Sequence, residues 1–214
     1  MVDKALFSSA STEYETPDWV FKPVAERLGL NFDAAASHEN HKLPNYATPE
    51  GIYIKNFSTP HRESSDDGLT TSWGRRRIWC NPPYGRGIEA WVRKAALAIQ
   101  TFPRAVGFGE LVCSVAALLL PARTETDWFQ RWVFPYAEVH FLMGRIKFEG
   151  TSSSAPFPSV IAVYDSSLPP IPQGEVRAYV CDLRSGEFRP PRKEVNHKYP
   201  DLGRKPNPFT ITSS

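Results

Sequence analysis

The chain has 214 residues, 41% of them hydrophobic, with 25 Lys+Arg against 23 Asp+Glu and a formal charge of +2 at pH 7. That length suits one domain with a sizeable core, the near-neutral charge leaves any nucleic-acid role to local basic clusters, and no run of 18 apolar residues marks a membrane helix. Cys80, Cys113 and Cys181 are odd in number, far apart and without zinc spacing, and a reducing cytosol is their natural setting.

Met1-Val2-Asp3-Lys4 lacks a charged-then-apolar signal pattern, and residues 1–12 read as an arm. Thr16-Pro17-Asp18 opens a helix, with Thr16 as N-cap and Pro17 at the first helical position. Trp19, Val20, Val24 and Leu28 give it an apolar stripe, Pro23 is a potential bend, and Gly29 ends it. Leu30 to Ala35 reads as the first strand, with Asp33 at its C-terminal end. Small residues follow, Ala34-Ala35-Ala36-Ser37, and let a ligand approach the backbone; a glycine-rich fingerprint is absent. A surface Asp ending a strand is the plain alternative for Asp33.

Residues 37–75 read as polar and irregular. His38, His41 and His61 have no carboxylate or cysteine at ligand spacing, so solvated loop histidines and no metal are expected. Asp67-Gly68 suits a turn. Arg75-Arg76-Arg77 either tracks phosphates or, more commonly for such runs, is a solvated charge cluster.

Next comes Ile78-Trp79-Cys80-Asn81-Pro82-Pro83-Tyr84, an apolar run that stops at a rigid turn. The prolines fix φ near −65° and remove backbone donors, leaving carbonyl acceptors at the C-terminal end of a strand. Open α/β sheets bind ligands at that end. The periodicity after Gly87 predicts a helix to about Gln100, with Ile88, Trp91, Val92 and Ala95 inward. Residues 110–121 are a long apolar run whose distal half suits a buried parallel strand. Thr124 to Val133 looks helical; Ala137–Leu142 and Ser159–Tyr164 look like strands. Between those strands lie Gly144-Arg145-Ile146-Lys147-Phe148 and a Gly/Ser-rich loop that could close over a ligand. From about residue 169 prolines and basic residues dominate, with a short extra strand at Val176–Leu183. The expected division is a 1–12 arm, a 13–168 catalytic domain and a 169–214 extension, either solubilising or weakly attractive to phosphates.

The shelf suits one chemical task. An aromatic amino group is a poor nucleophile because its lone pair is delocalised. Two acceptors, the Asn81 side-chain oxygen and the Pro82 carbonyl, can hold both N–H bonds and aim the lone pair at an electrophile. Tyr84 offers a ring for a base drawn out of its stack. Asn81-Pro82-Pro83-Tyr84 resembles the motif of amino-group methyltransferases that use S-adenosylmethionine (SAM). Four further blocks follow the order of the Dam-like phage DNA N6-adenine methyltransferase family: Thr16–Trp19, Phe32–Ala36, Leu120–Thr124 and Gly144–Phe148.

The resemblance implies a Rossmann-like SAM-dependent methyltransferase fold: α/β, a mostly parallel central sheet, helices on both faces. It implies methyl transfer to adenine N6 in double-stranded DNA with the base flipped out, by a monomer, in the cytosol and without metal. It implies a catalytic Asn81, Pro82, Pro83 and Tyr84, SAM held by Thr16, Pro17, Asp33, Ala35, Asp67 and Asn81, and DNA met by Tyr84, Arg123, Arg145 and Phe148. An RNA or protein-glutamine methyltransferase with the same shelf, or an inactive DNA-binding relative, stays open at this point.

Overall fold

A computed structural model of the chain describes residues 14–56, 59–64, 66–100, 113–183 and 187–189. The expected arm, the start of the apolar run at 110–112 and the basic tail from Arg192 onward lie outside the described residues. In chain order the elements are α1 (Asp18–Leu28), β1 (Phe32–Asp33), β2 (Tyr46–Thr48), β3 (Gly51–Asn56), β4 (Thr59–Ser64), β5 (Arg77–Cys80), α2 (Ile88–Ala98), β6 (Val115–Pro121), α3 (Asp127–Trp132), β7 (Glu138–Leu142), β8 (Ser159–Asp165), β9 (Arg177–Asp182) and β10 (Glu187–Arg189).

The two apolar runs make the centre. β5 and β6 pair in parallel, with Cys80 opposite Leu118. Successive strand residues face opposite sides, so Ile78, Cys80, Ala116, Leu118 and Leu120 join one core. Trp79, Val115, Ala117 and Leu119 join the other. Burial on both faces is why these runs are apolar throughout rather than alternating. Helix α1 covers the second core with Val20, Phe21 and Val24, while α2 and α3 cover the first.

Among the described residues the strands form one sheet in the order β10-β9-β7-β8-β6-β5-β1-β2-β3-β4. The centre, β2-β1-β5-β6, is parallel; β3 and β4 extend it antiparallel on one flank and β8 on the other. This is the α/β class with a parallel centre and a helix layer on each face. Strand β7 is antiparallel to β8 and therefore runs in the same direction as β6. The C-terminal ends of β1, β5, β6 and β7 thus share one edge. The chain leaves β1 toward β2–β4 on one side and resumes at β5 on the other. That is a topological switch point, where open α/β sheets hold ligands.

Several local expectations change. Helix α1 begins at Asp18, and Pro17 rather than Thr16 is its N-cap, with the Pro17 carbonyl accepting from Val20 and Phe21. Phe21, not Trp19, completes the buried stripe because its ring meets Trp79 at 5.3 Å. Gly29 does stop the helix, at φ +59°. The segment read as irregular contains β2, β3 and β4; β2 is only three residues long, and β3 and β4 sit on the sheet's flank, so none shows a long apolar run. In the arginine run, Arg75 is exposed, whereas Arg76 and Arg77 are half-buried and engaged within the fold. Arg76 lies 4.1 Å over the Phe32 ring, and Arg77 Nε donates to the Leu28 carbonyl at 2.6 Å. The Gly144–Ser154 stretch is anchored, with Ile146 and Phe148 buried. Strand β9 adds parallel to β7 and buries Cys181.

Candidate active site

A cavity of about 500 Å³ opens at the switch point, within the usual range for small-molecule sites. Thr16, Asp33, Ala35, Asp67, Asn81, Pro82 and Pro83 all line it. The sheet explains the convergence. Asp33 ends β1, Asn81 follows β5, and Asp33 pairs with Trp79 across the ladder. Pro17 lies just outside the lining as the cap of α1, which leaves the Thr16 side chain buried against the cavity.

Asp33 is 2% exposed. Its Oδ2 accepts from the Lys42 backbone N–H at 2.9 Å and its Oδ1 from Ala35 N–H at 3.4 Å. Burial nevertheless dominates and pushes the carboxyl from 3.8 up to about 6, with the two backbone donors pulling the other way. A cation beside Asp33 would relieve that cost.

Asp67 serves its own turn first. Its Oδ1 accepts from Leu69 N–H at 2.9 Å, Thr70 N–H at 2.7 Å and the Thr70 hydroxyl at 2.8 Å. Burial raises its carboxyl, but the Thr70 and Leu69 bonds outweigh that and hold it below its usual value. The turn is pressed onto β1. A Cβ on Gly68 would stand 1.8 Å from the Ala34 carbonyl oxygen and 2.9 Å from Trp91 Cη2, so only glycine fits. Lys94 Nζ clamps the same loop by donating to the Leu69 and Thr71 carbonyls, each at 2.7 Å. Trp91, expected in the core, is half-buried against it and also lines the cavity.

At the shelf, the Asn81 Nδ2–H donates to the Tyr14 backbone carbonyl. A carbonyl can only accept, so the amide nitrogen must face Tyr14 and Oδ1 must face the other way. Among the described residues no donor reaches that buried Oδ1. A buried acceptor without a partner is costly and uncommon. Here it belongs to a residue of the cavity wall.

Tyr84 is half-buried among Tyr14 at 5.4 Å, Phe157 at 5.6 Å and Phe148 at 6.3 Å, ring centre to ring centre. Its hydroxyl donates to the Leu119 carbonyl at 3.4 Å, and burial raises its phenol so that it stays protonated. Phe148 is buried in the same cluster rather than presented to a partner. Arg123 and Arg145 are exposed and do not line the cavity, although they follow β6 and β7 at the same sheet edge.

His38 and His41 are engaged by aromatic rings. His38 Nδ1 meets the Tyr46 hydroxyl at 3.1 Å, and His41 stacks on Tyr46 at 4.2 Å. The His61 side chain lies outside the described residues. Among the described residues no group of three or more His, Cys, Asp or Glu side chains is placed to hold a metal ion. Tyr14, Lys42 and Gly68 were missed as site residues. The Asp67-Gly68 pair marks a turn and, through the resemblance, Asp67 as a SAM ligand but not Gly68 itself, and nothing local marks Tyr14 or Lys42.

The family model described as DNA N-6-adenine-methyltransferase (Dam) matches residues 5–162. The chain is also similar to a DNA N-6-adenine-methyltransferase of Haemophilus phage HP1, strain HP1c1, at 26% identity over 144 residues. That alignment covers 67% of this chain and 65% of the relative, so the chain spans a little under two thirds of the phage protein's length.

Proposed function

The chain belongs to the DNA N-6-adenine-methyltransferase (Dam) family, and on that premise we propose that it methylates the N6 amino group of adenine in double-stranded DNA, with SAM as donor and the base drawn out of the helix. The observation that carries this reading is the buried Asn81 Oδ1 at the cavity wall, which has no hydrogen-bond partner among the described residues. An exocyclic amino group supplies the N–H that this oxygen lacks.

SAM, when bound, supplies a methyl group on a positively charged sulfonium. The residues fit such a ligand. Asp33 receives its ammonium, since a cation offsets the burial that holds this carboxyl near 6. Thr16, Ala35 and the Asp67–Gly68 turn form the surrounding wall. Asn81 Oδ1 and the Pro82 carbonyl accept the two N6–H bonds of adenine. That draws the nitrogen toward tetrahedral geometry and turns its lone pair outward. As positive charge grows on N6, the same two carbonyl dipoles stabilise it without reorganising. Tyr84 stacks on the extruded base once the ring cluster around it opens. Arg123 and Arg145 meet phosphates at the rim. The 13–168 unit carries these parts, and the chain acts as a monomer.

Three folded proteins test the Asn81 role: wild type, Asn81→Asp and Asn81→Leu, in single-turnover methyl transfer to an adenine-containing duplex. Asp keeps an acceptor oxygen in nearly the same shape, so measurable activity survives. Leu offers none, and the rate falls at least ~100-fold, the scale for removing one preorganised polar group from a transition state. Thermal melts confirm folding, and N6-methyladenine in digested duplex identifies the product. Substantial activity in folded Asn81→Leu refutes the role.

A further inference from the structure

The orientation of the Asn81 carboxamide depends on a segment far away in the chain. Turning the amide by 180° would set Oδ1 against the Tyr14 carbonyl and aim an NH2 at a substrate amino group, donor against donor. The correct orientation needs the Tyr14 carbonyl held in place. Yet Tyr14 and Glu15 precede the first helix and belong to no named strand; among the described residues, one bridge, Glu149 N–H to the Glu15 carbonyl at 3.0 Å, ties their backbone to the loop after β7.

Lys42 supplies the rest. Its side chain is 11% exposed, and Nζ lies 3.3 Å from Glu15 Oε1, 3.8 Å from Asp18 Oδ1 and 3.9 Å from Glu149 Oε2. One ammonium therefore fastens the Tyr14–Glu15 segment, the start of α1 and the loop that carries Phe148. The backbone N–H of the same residue donates to Asp33 Oδ2 at 2.9 Å. The ring of Tyr14 meanwhile packs on Phe148 at 4.8 Å and Tyr84 at 5.4 Å, so loosening the segment disturbs the aromatic cluster as well.

We propose that Lys42 is a positioning residue for methyl transfer. Its ammonium fastens the Tyr14–Glu15 segment, whose carbonyl keeps the Asn81 oxygen turned toward the amino group to be methylated. This deepens the proposed function and rests on the reading of Asn81 as acceptor. A merely structural Lys42, neutralising neighbouring carboxylates, would leave Asn81 indifferent to it.

The test is a double-mutant cycle on the full chain. Lys42→Met is made with Asn and with Asp at position 81, and single-turnover transfer to an adenine duplex is measured. Methionine keeps the aliphatic stem and the backbone N–H to Asp33 but removes the charge. With Asn81 in place and SAM saturating, the rate falls ~3- to 10-fold, the population shift that one broken hydrogen bond produces. With Asn81→Asp the further decrease is much smaller, because either carboxylate oxygen can accept and orientation no longer matters. Lys42→Arg restores most of the rate.

Independently of activity, the Asn81 side-chain amide resonances, identified by their disappearance in Asn81→Asp, show a proton protected from exchange in the wild type. In Lys42→Met that protection disappears. Glu15→Gln loosens the same attachment while leaving the Lys42 ammonium in place, and should shift both readouts the same way if Lys42→Met does not fold. Equal fold-losses in the two backgrounds, or unchanged protection in folded Lys42→Met, overturn the positioning role. A wild type that transfers no methyl to adenine refutes the function instead, and the amide protection still decides the role of Lys42.

Discussion

Asp33→Asn, followed across pH, probes the donor end of the cavity. The carboxyl accepts from two backbone N–H groups, at 2.9 and 3.4 Å, and burial still pushes it from 3.8 up to about 6. The sign follows from linkage. The folded value lies above the unfolded one, so this group's contribution to stability is fully present below 3.8 and is lost as pH rises through about 6. At neutral pH the ionised form costs the ligand-free protein ~3 kcal/mol. A ligand ammonium binds the ionised form and recovers part of that. SAM should therefore bind ~10-fold more tightly at pH 7 than at pH 5, with the change centred near pH 6 and levelling off toward pH 7.

The Asp33→Asn variant keeps an acceptor for the Lys42 N–H but carries no charge at this position. It should bind SAM more weakly at pH 7 by about 1.5–3 kcal/mol, the usual worth of a hydrogen bond to a charged group. It should also lose the slope between pH 5 and 7. Isothermal titration calorimetry at half-unit pH steps on both proteins measures this. His38 also lines the cavity, and any dependence it contributes persists in the variant, so the difference between the two profiles isolates Asp33. Parallel profiles, or equal affinity at pH 7, would remove Asp33 from the donor site.

Two substitutions probe the walls. Tyr84→Phe loses only the long bond to Leu119 at 3.4 Å and should keep most activity, whereas Tyr84→Ala should lose duplex affinity and rate together, since base–aromatic stacking is worth ~1–3 kcal/mol; steady-state and filter-binding measurements on both decide, and a Phe variant as impaired as Ala would assign the role to the hydroxyl. Gly68→Ala drives a Cβ to 1.8 Å from the Ala34 carbonyl oxygen, so the Asp67 turn must lift off β1, with a stability loss of at least ~1–3 kcal/mol by denaturant melts and weakened SAM binding; unchanged values would mean the turn does not press on the strand.

What the chain decided locally is clear in Asn81-Pro82-Pro83-Tyr84. Proline restricts its own φ and its neighbour, so a stiff acceptor shelf after an apolar run follows from adjacent residues alone. The same holds for Gly29 ending α1, for the doubly buried runs of β5 and β6, and for Asp33 at the close of a short strand. These features obey rules that reach only a few residues along the chain. Other features arise from pairs far apart in sequence. The Tyr14 carbonyl that orients Asn81 stands 67 residues away, and Arg77 is engaged by Leu28 across 49. Strands β2 to β4 leave no local signal, because β2 is only three residues long and the flanking β3 and β4 carry no long apolar run. Lys42 gained its role only when the fold gathered Glu15, Asp18 and Glu149 around it. The acidity of Asp33 was decided the same way, because burial is a property of everything packed around a group. The amino-group chemistry could thus be read from neighbouring residues, while the direction in which Asn81 points and the charge Asp33 carries at a given pH belong to the folded chain alone.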